Sequence, residues 1–137
     1  MFILRSKKYS FSKIAAIESR GFVFASAVSY ILKKPFIMLR KKNKLPGKKI
    51  SQKFKLEYGT DTIEVHKSSL NKKDKVIIVD DLIATGGTAL ASAKLIKKCK
   101  ANVSAFIFLI DLFDLPGNEK LQSRGYRTFK LINFPGH

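Results

Sequence analysis

Short apolar runs alternate with amphipathic stretches along this chain, and the two periods assign elements. The segment "KIAAIE" (13–18) reads as a strand. In "GFVFASAVSYILKK" (21–34), Phe24, Val28, Ile31 and Leu32 recur near helical spacing, and Pro35 ends the helix. "FIMLR" (36–40) is a short strand, followed by a charged loop with a Pro-Gly turn, "KKNKLPGKK" (41–49). "SQKFKLEYGTDTIEVH" (51–66) alternates, with Gly59 near its middle, and predicts a hairpin or an extended flap. On that alternation His66 falls with Thr62 and Glu64 on the polar, outward side. "KVIIVD" (75–80) and "VSAFIFLI" (103–110) are apolar throughout and read as buried strands. Between them "TALASAKLIKKCK" (88–100) is a helix with Ala89, Ala93 and Ile96 on one face and Cys99 in the packing. "GNEKLQSRG" (117–125) is a short helical turn and "YRTFKLI" (126–132) a last strand. Phe22 and Phe24 are expected in the core. Apolar strands alternating with helices predict an α/β class, a doubly wound parallel sheet covered on both faces. With no internal repeat and no linker, residues 1–137 are expected to form a single domain.

Charge changes this picture less than its size suggests. The formal net charge is +17, from 27 Lys and Arg against 10 Asp and Glu. Yet 22 of the basic residues are Lys, scattered in pairs such as Lys33-Lys34, Lys72-Lys73 and Lys97-Lys98. No helix-turn-helix, zinc-finger or RNA-binding signature accompanies them, so no specific nucleic-acid partner is expected. The charge suits a small polyanionic substrate. No apolar run reaches the roughly 18 residues of a membrane span. The start "MFILRSKK" is too short in apolar residues for a signal-peptide core. The single Cys99 cannot form an internal disulfide, and a reduced, cytoplasmic protein is expected.

The chemistry concentrates at the carboxyl ends of two strands, where ligands bind in this class. One loop is "ESRGF" (18–22), the other "DDLIATGGT" (80–88). Each carries Gly where a helix begins, so each offers close backbone approach and free N–H groups to an anion. Neither is a P-loop, since Gly47-Lys48 is followed by Lys49, and there is no G-x-G-x-x-G. Asp80 and Asp81 stand at the lip of the second loop. Carboxylates there cannot bind the phosphate; they suit sugar hydroxyls, a Mg²⁺ carried by the ligand, or a cationic centre formed in reaction. A ribose 5-phosphate meets all three demands.

The stretch "VIIVDDLIATGGTA" (76–89) closely resembles the 5-phosphoribosyl diphosphate (PRPP) motif of type I phosphoribosyltransferases. "ESRGF", "LRKKNKLPGK", "KLEYGTD" and "VIIVDDLIATGGT" occur in the order found in adenine phosphoribosyltransferases, and the ending "FPGH" is similar to bacterial members. The resemblance implies transfer of phosphoribosyl from PRPP to adenine, with Mg²⁺, giving AMP and pyrophosphate in purine salvage. It implies that Asp80 and Asp81 hold the ribose hydroxyls, possible company for the metal, and that Ala84, Thr85, Gly86, Gly87 and Thr88 wrap the 5′-phosphate. Ser19, Arg20 and Gly21 would form a pyrophosphate loop holding a strained peptide. Arg40, Lys41 and Lys44 would neutralise the leaving pyrophosphate across a homodimer interface. Glu57 and Tyr58 would sit on the closing flap, with Glu57 handling a proton near the base. Where oxopurine transferases carry an Asp, this chain has Ala84, which cannot accept a proton; adenine is therefore expected over hypoxanthine or guanine. The alternative is a regulator that senses PRPP or nucleotide without catalysis.

Adenine phosphoribosyltransferases have several dozen residues before the "ESRGF" strand, including a hood over the base. Here residues 1–12 resemble the remnant of the preceding helix. The expectation is therefore a chain with a complete PRPP side and no hood, holding AMP through its phosphate but adenine poorly and turning over slowly; the competing readings are a start upstream of Met1 or a lid supplied by the partner subunit.

Overall fold

Strand β1 (Lys13–Ile17) lies at the middle of a mixed sheet, between β2 (Phe36–Lys41) and β5 (Lys75–Ile83). The computed structural model describes residues 10–18, 20–56 and 59–135. Among them β6 (Asn102–Leu112) and β7 (Thr128–Phe134) continue the sheet beyond β5, while β4 (Gly59–His66) and β3 (Lys49–Leu56) extend it beyond β2. The order is β3-β4-β2-β1-β5-β6-β7. From β2 to β7 all pairings are parallel; β4 joins β2 antiparallel, and β3 and β4 form a hairpin. The doubly wound parallel expectation thus holds for five strands, and the flap segment supplies an antiparallel edge. Residues 57 and 58, between the hairpin strands, lie outside the described residues.

Parallel neighbours require crossovers, and three helices provide them. Helix α1 (Arg20–Leu32) links β1 to β2, α2 (Gly87–Lys98) links β5 to β6, and α3 (Gly117–Ser123) links β6 to β7. Side chains alternate across the pleat, so the central strands feed two cores. Ile14, Ala16, Ile77 and Val79 pack with Ala25 and Val28 of α1. Ala15, Ile17, Val76 and Ile78 pack with Ala89, Ala93, Leu95 and Ile96 of α2 and Leu121 of α3. Strands buried on both faces are the reason β1, β5 and β6 carry no polar alternation. No helix among the described residues is long and apolar enough to cross a membrane.

The structure corrects four expectations. The buried positions of α1 are Gly21, Ala25 and Val28, and Ile31 is 55% exposed. Small residues at 21 and 25 let the helix axis approach the sheet, which turns Ile31 outward. In β4, Thr62 and Glu64 are buried and His66 is half-buried, because the strand sits between β2 and β3 rather than at an edge. Strand β5 runs on to Ile83, since Leu82 and Ile83 pair with Ile110 and Asp111 of β6. Asp80 and Asp81 are therefore strand residues, and the loop proper begins at Ala84. Of the supposed helix remnant only residues 10–12 are described; they are not helical, and Phe11 is buried in the α1-side core.

Candidate active site

The chain leaves β1 for β2 on one side and β5 for β6 on the other, so their carboxyl ends part and open a crevice. The two glycine loops border it. Gly21 brings them together: a Cβ there would stand 2.9 Å from the Val79 carbonyl oxygen and 3.3 Å from Asp80 Cα. Only a residue without a side chain lets α1 start against the end of β5.

Arg20, the first residue of α1, meets Asp81 through Nε and Oδ2 at 2.8 Å. A cation at a helix N-terminus opposes the dipole, and the Asp81 carboxylate offsets that cost. The Arg20 side chain remains 75% exposed and free to reach a ligand. Asp80 points into the crevice, and its Oδ1 accepts the Asp81 backbone N–H at 2.8 Å. Burial pushes the Asp80 carboxyl up to about 7, and the adjacent Asp81 adds to this; the Asp81 N–H and the Arg20 charge pull the other way. A half-neutral acid here is held ready for a positive charge or for hydroxyl donors.

Beside Asp80 lies a cavity of about 120 Å³, lined by residues 82–89 and closed by Phe108. Gly86 takes a left-handed backbone (φ 87°) and precedes α2 without any side-chain cap. The opening N–H groups of α2 therefore face the cavity side of the loop uncapped, which makes an anion cradle. A Cβ on Gly87 would meet nothing nearer than the Lys55 carbonyl oxygen at 3.8 Å. The packing of the described residues therefore leaves room for a β-carbon at 87.

The basic segment lies across the crevice, at the end of β2. Arg40 Nε is 3.2 Å from Glu18 Oε1, and the same oxygen accepts the Lys41 N–H at 2.9 Å. Lys41 Nζ pairs with Asp61 of β4 at 2.6 Å, which holds the Asp61 carboxyl below its ordinary range. Lys44 is exposed, on a turn whose N–H to Lys41 carbonyl distance is 3.3 Å. The turn is moored by buried Glu64: Oε1 accepts the Asn43 N–H at 2.9 Å and Oε2 accepts the Ser51 hydroxyl at 2.8 Å. Desolvation works against the Glu64 charge, but those bonds and nearby lysines hold its carboxyl below the usual range. Glu18, Asp61 and Glu64 were not among the expected site residues. Their signal was faint: Glu18 stands beside a glycine loop and Asp61 and Glu64 in an alternating strand, and nothing local ties them to the lysine run.

Among the expected residues, Arg20, Gly21, Asp80, Asp81 and the 84–88 loop converge on one crevice, with Arg40, Lys41 and Lys44 on the segment beyond β2. Ser19, Glu57 and Tyr58 lie outside the described residues. No group of three or more His, Cys, Asp or Glu side chains among the described residues could hold a metal ion. Cys99 is buried at the end of α2, where desolvation raises its thiol, and it lines none of this.

The profile of the phosphoribosyl transferase domain family matches residues 2–134. The adenine phosphoribosyltransferase of Pelagibacter ubique is 64% identical over 135 residues, covering 98% of this chain and 77% of that protein. The crystal structure of adenine phosphoribosyltransferase from Thermoanaerobacter pseudethanolicus superposes with a TM-score of 0.89 at 43% identity, over 96% of this chain and 78% of that one. The Saccharomyces cerevisiae enzyme, crystallised with an imino-altritol bisphosphate and adenine, gives a TM-score of 0.85 at 35% identity, over 93% and 71%.

Proposed function

The chain belongs to the adenine phosphoribosyltransferase family, enzymes of purine salvage, and from that premise we propose how its residues divide the transfer of phosphoribosyl from PRPP to adenine. The products are AMP and pyrophosphate. The observation that carries the reading is the crevice between β1 and β5, where a carboxylate pair faces an uncapped glycine loop.

The 5′-phosphate lies in residues 84–88, held by backbone N–H groups at the start of α2. The ribose hydroxyls donate to Asp80 and Asp81, and the same carboxylates face the cationic charge that develops as the bond to pyrophosphate breaks. Charge that grows only in the transition state is where preformed carboxylates contribute most. Gly21 with Arg20 and Ser19 receives the pyrophosphate, and Arg20 exchanges Asp81 for it. Arg40, Lys41 and Lys44 neutralise the leaving group from the other side. Glu57, beside Tyr58 in the sequence between β3 and β4, handles the proton of the base.

Mg²⁺ arrives with PRPP. Such an ion needs only one or two carboxylates besides phosphate oxygens, and the Asp80–Asp81 pair fits that demand. When bound, it would offset negative charge on the departing pyrophosphate. A homodimer is supported by exposed apolar side chains on α1, where Val23 and Tyr30 are 70% and 86% exposed beside Ile31. A cytoplasmic setting and one domain over residues 1–137 complete the reading; a single buried thiol supports the first.

The test is AMP formation from adenine and PRPP by the purified chain. The expected result is turnover with adenine and none with hypoxanthine or guanine. Glu57→Ala should lower turnover by roughly 10²–10⁴-fold, the scale of a positioned acid–base group. Turnover of that variant within threefold of wild type would remove Glu57 from the mechanism. Binding of AMP and PRPP with no AMP formed even at a large excess of adenine would favour a nucleotide sensor.

A further inference from the structure

The loop at 84–86 is backed by Gly117, a residue that does not line the cavity beside it. Gly117 opens α3 and is buried, and its N–H donates to the Ala84 carbonyl at 2.8 Å. A Cβ on Gly117 would stand 2.4 Å from that carbonyl oxygen, 2.7 Å from Ile83 Cγ1 and 2.9 Å from the Gly86 nitrogen. The contact is reciprocal: a Cβ on Gly86 would stand 3.0 Å from Gly117 Cα and 3.2 Å from its oxygen. Two backbones thus touch with no side chain between them. Gly86 has a second reason to be glycine, its positive φ; Gly117 has no such reason, and only the proximity of the loop excludes a side chain.

The helix behind Gly117 is fixed. Leu121 is fully buried in the α2-side core. Asn118 Oδ1 accepts the Thr128 hydroxyl of β7, and the Tyr126 N–H returns to the Leu121 carbonyl at 3.1 Å. The short helix therefore acts as a strut between β7 and the loop. We propose that Gly117 is a positioning residue for phosphoribosyl binding, setting the path of Ala84–Gly86 and so the aim of the N–H groups that follow. The proposal rests on the assignment of residues 84–88 to the 5′-phosphate.

A methyl group at 117 can be admitted only by moving the Ala84 carbonyl and the Gly86 N–H outward, and displacements near 1 Å cost on the order of 10²-fold at such sites. Gly117→Ala should raise the Kd for AMP and the KM for PRPP by about 10–100-fold, with adenine KM nearly unchanged. A purely structural role would lower the melting temperature and leave AMP affinity alone. The control is Gly87→Val: a β-carbon at 87 meets nothing nearer than 3.8 Å in the protein, while the added methyls would crowd a phosphate held in the loop. If Gly87→Val binds AMP as wild type does, the loop assignment itself fails. If Gly87→Val loses AMP while folded Gly117→Ala binds it within twofold, only the role of Gly117 fails. Should Gly117→Ala not fold, Asn118→Ala loosens the strut without adding bulk near the loop. It should weaken AMP several-fold, and undiminished affinity there would overturn the proposal.

Discussion

Asp80 carries a pH signature that a surface acid would lack. Its carboxyl is pushed from an ordinary value of 3.8 up to about 7, chiefly by burial. Below about pH 4 it is neutral in both the folded and unfolded chain and costs nothing. As pH rises toward 7 the unfolded chain releases this proton more readily, so the Asp80 contribution to stability falls, by up to about 1.4 kcal/mol per pH unit. The buried or paired acids Asp61, Glu64 and Asp74 are shifted downward and act in the opposite sense, losing stability as pH falls through their folded values. Comparison with Asp80→Asn isolates the one term. Ligand-free melts should show the variant gaining on wild type as pH rises from about 4 to about 7, with the difference level above that. Parallel curves would mean that Asp80 titrates as an exposed acid. The acid pair itself was legible in the sequence, because two adjacent Asp after an apolar strand need no long-range information. Its raised pKa was not, since that depends on β5 continuing three residues beyond Asp80 beside β6.

At the scale of elements, the hairpin does more than carry a flap. Its strand β4 supplies Asp61 and Glu64 to the basic segment after β2, and the register Arg40↔Glu64 and Lys41↔Ile63 fixes that meeting. Glu64→Ala would leave the Asn43 N–H and the Ser51 hydroxyl without their acceptor and release the turn bearing Lys44. The expected cost is about 1–3 kcal/mol in urea unfolding, the range for stranding buried polar groups. Pyrophosphate inhibition should weaken at the same time. Unfolding and inhibition both equal to wild type would show that Glu64 does not moor the segment. Alternation placed Glu64 on an outward face because period alone cannot say whether a strand is central or at an edge. Gly117 was hidden for a related reason, since locally it reads only as the start of a short helical turn.

At the scale of the whole molecule, acids among the described residues are engaged in ion pairs with Lys13, Arg20, Arg40, Lys41, Lys49 and Lys130. Much of the remaining lysine is left to the surface without a recognition element to organise it. Duplex DNA binding should accordingly be weak, independent of sequence and lost by about 200 mM salt, since only counterion release drives it. Fluorescence anisotropy with two unrelated duplexes checks this, and a sequence-selective complex surviving that salt would revive a regulatory reading.

The sequence by itself determined the elements and their order, the class of sheet, the two glycine loops and the acid pair. Each is written in neighbouring residues, as a period of apolar positions, a backbone torsion or a short motif. Tertiary structure alone decided which loops become neighbours. Lys13 pairs with Val76 across more than sixty residues of chain, and that pairing sets Gly21 against Asp80 and Arg20 against Asp81. It decided too that Glu64 is buried and that a glycine thirty residues beyond Gly87 packs against the backbone of Ala84 and Gly86. Such contacts follow from how all the layers pack at once, and no local pattern encodes them.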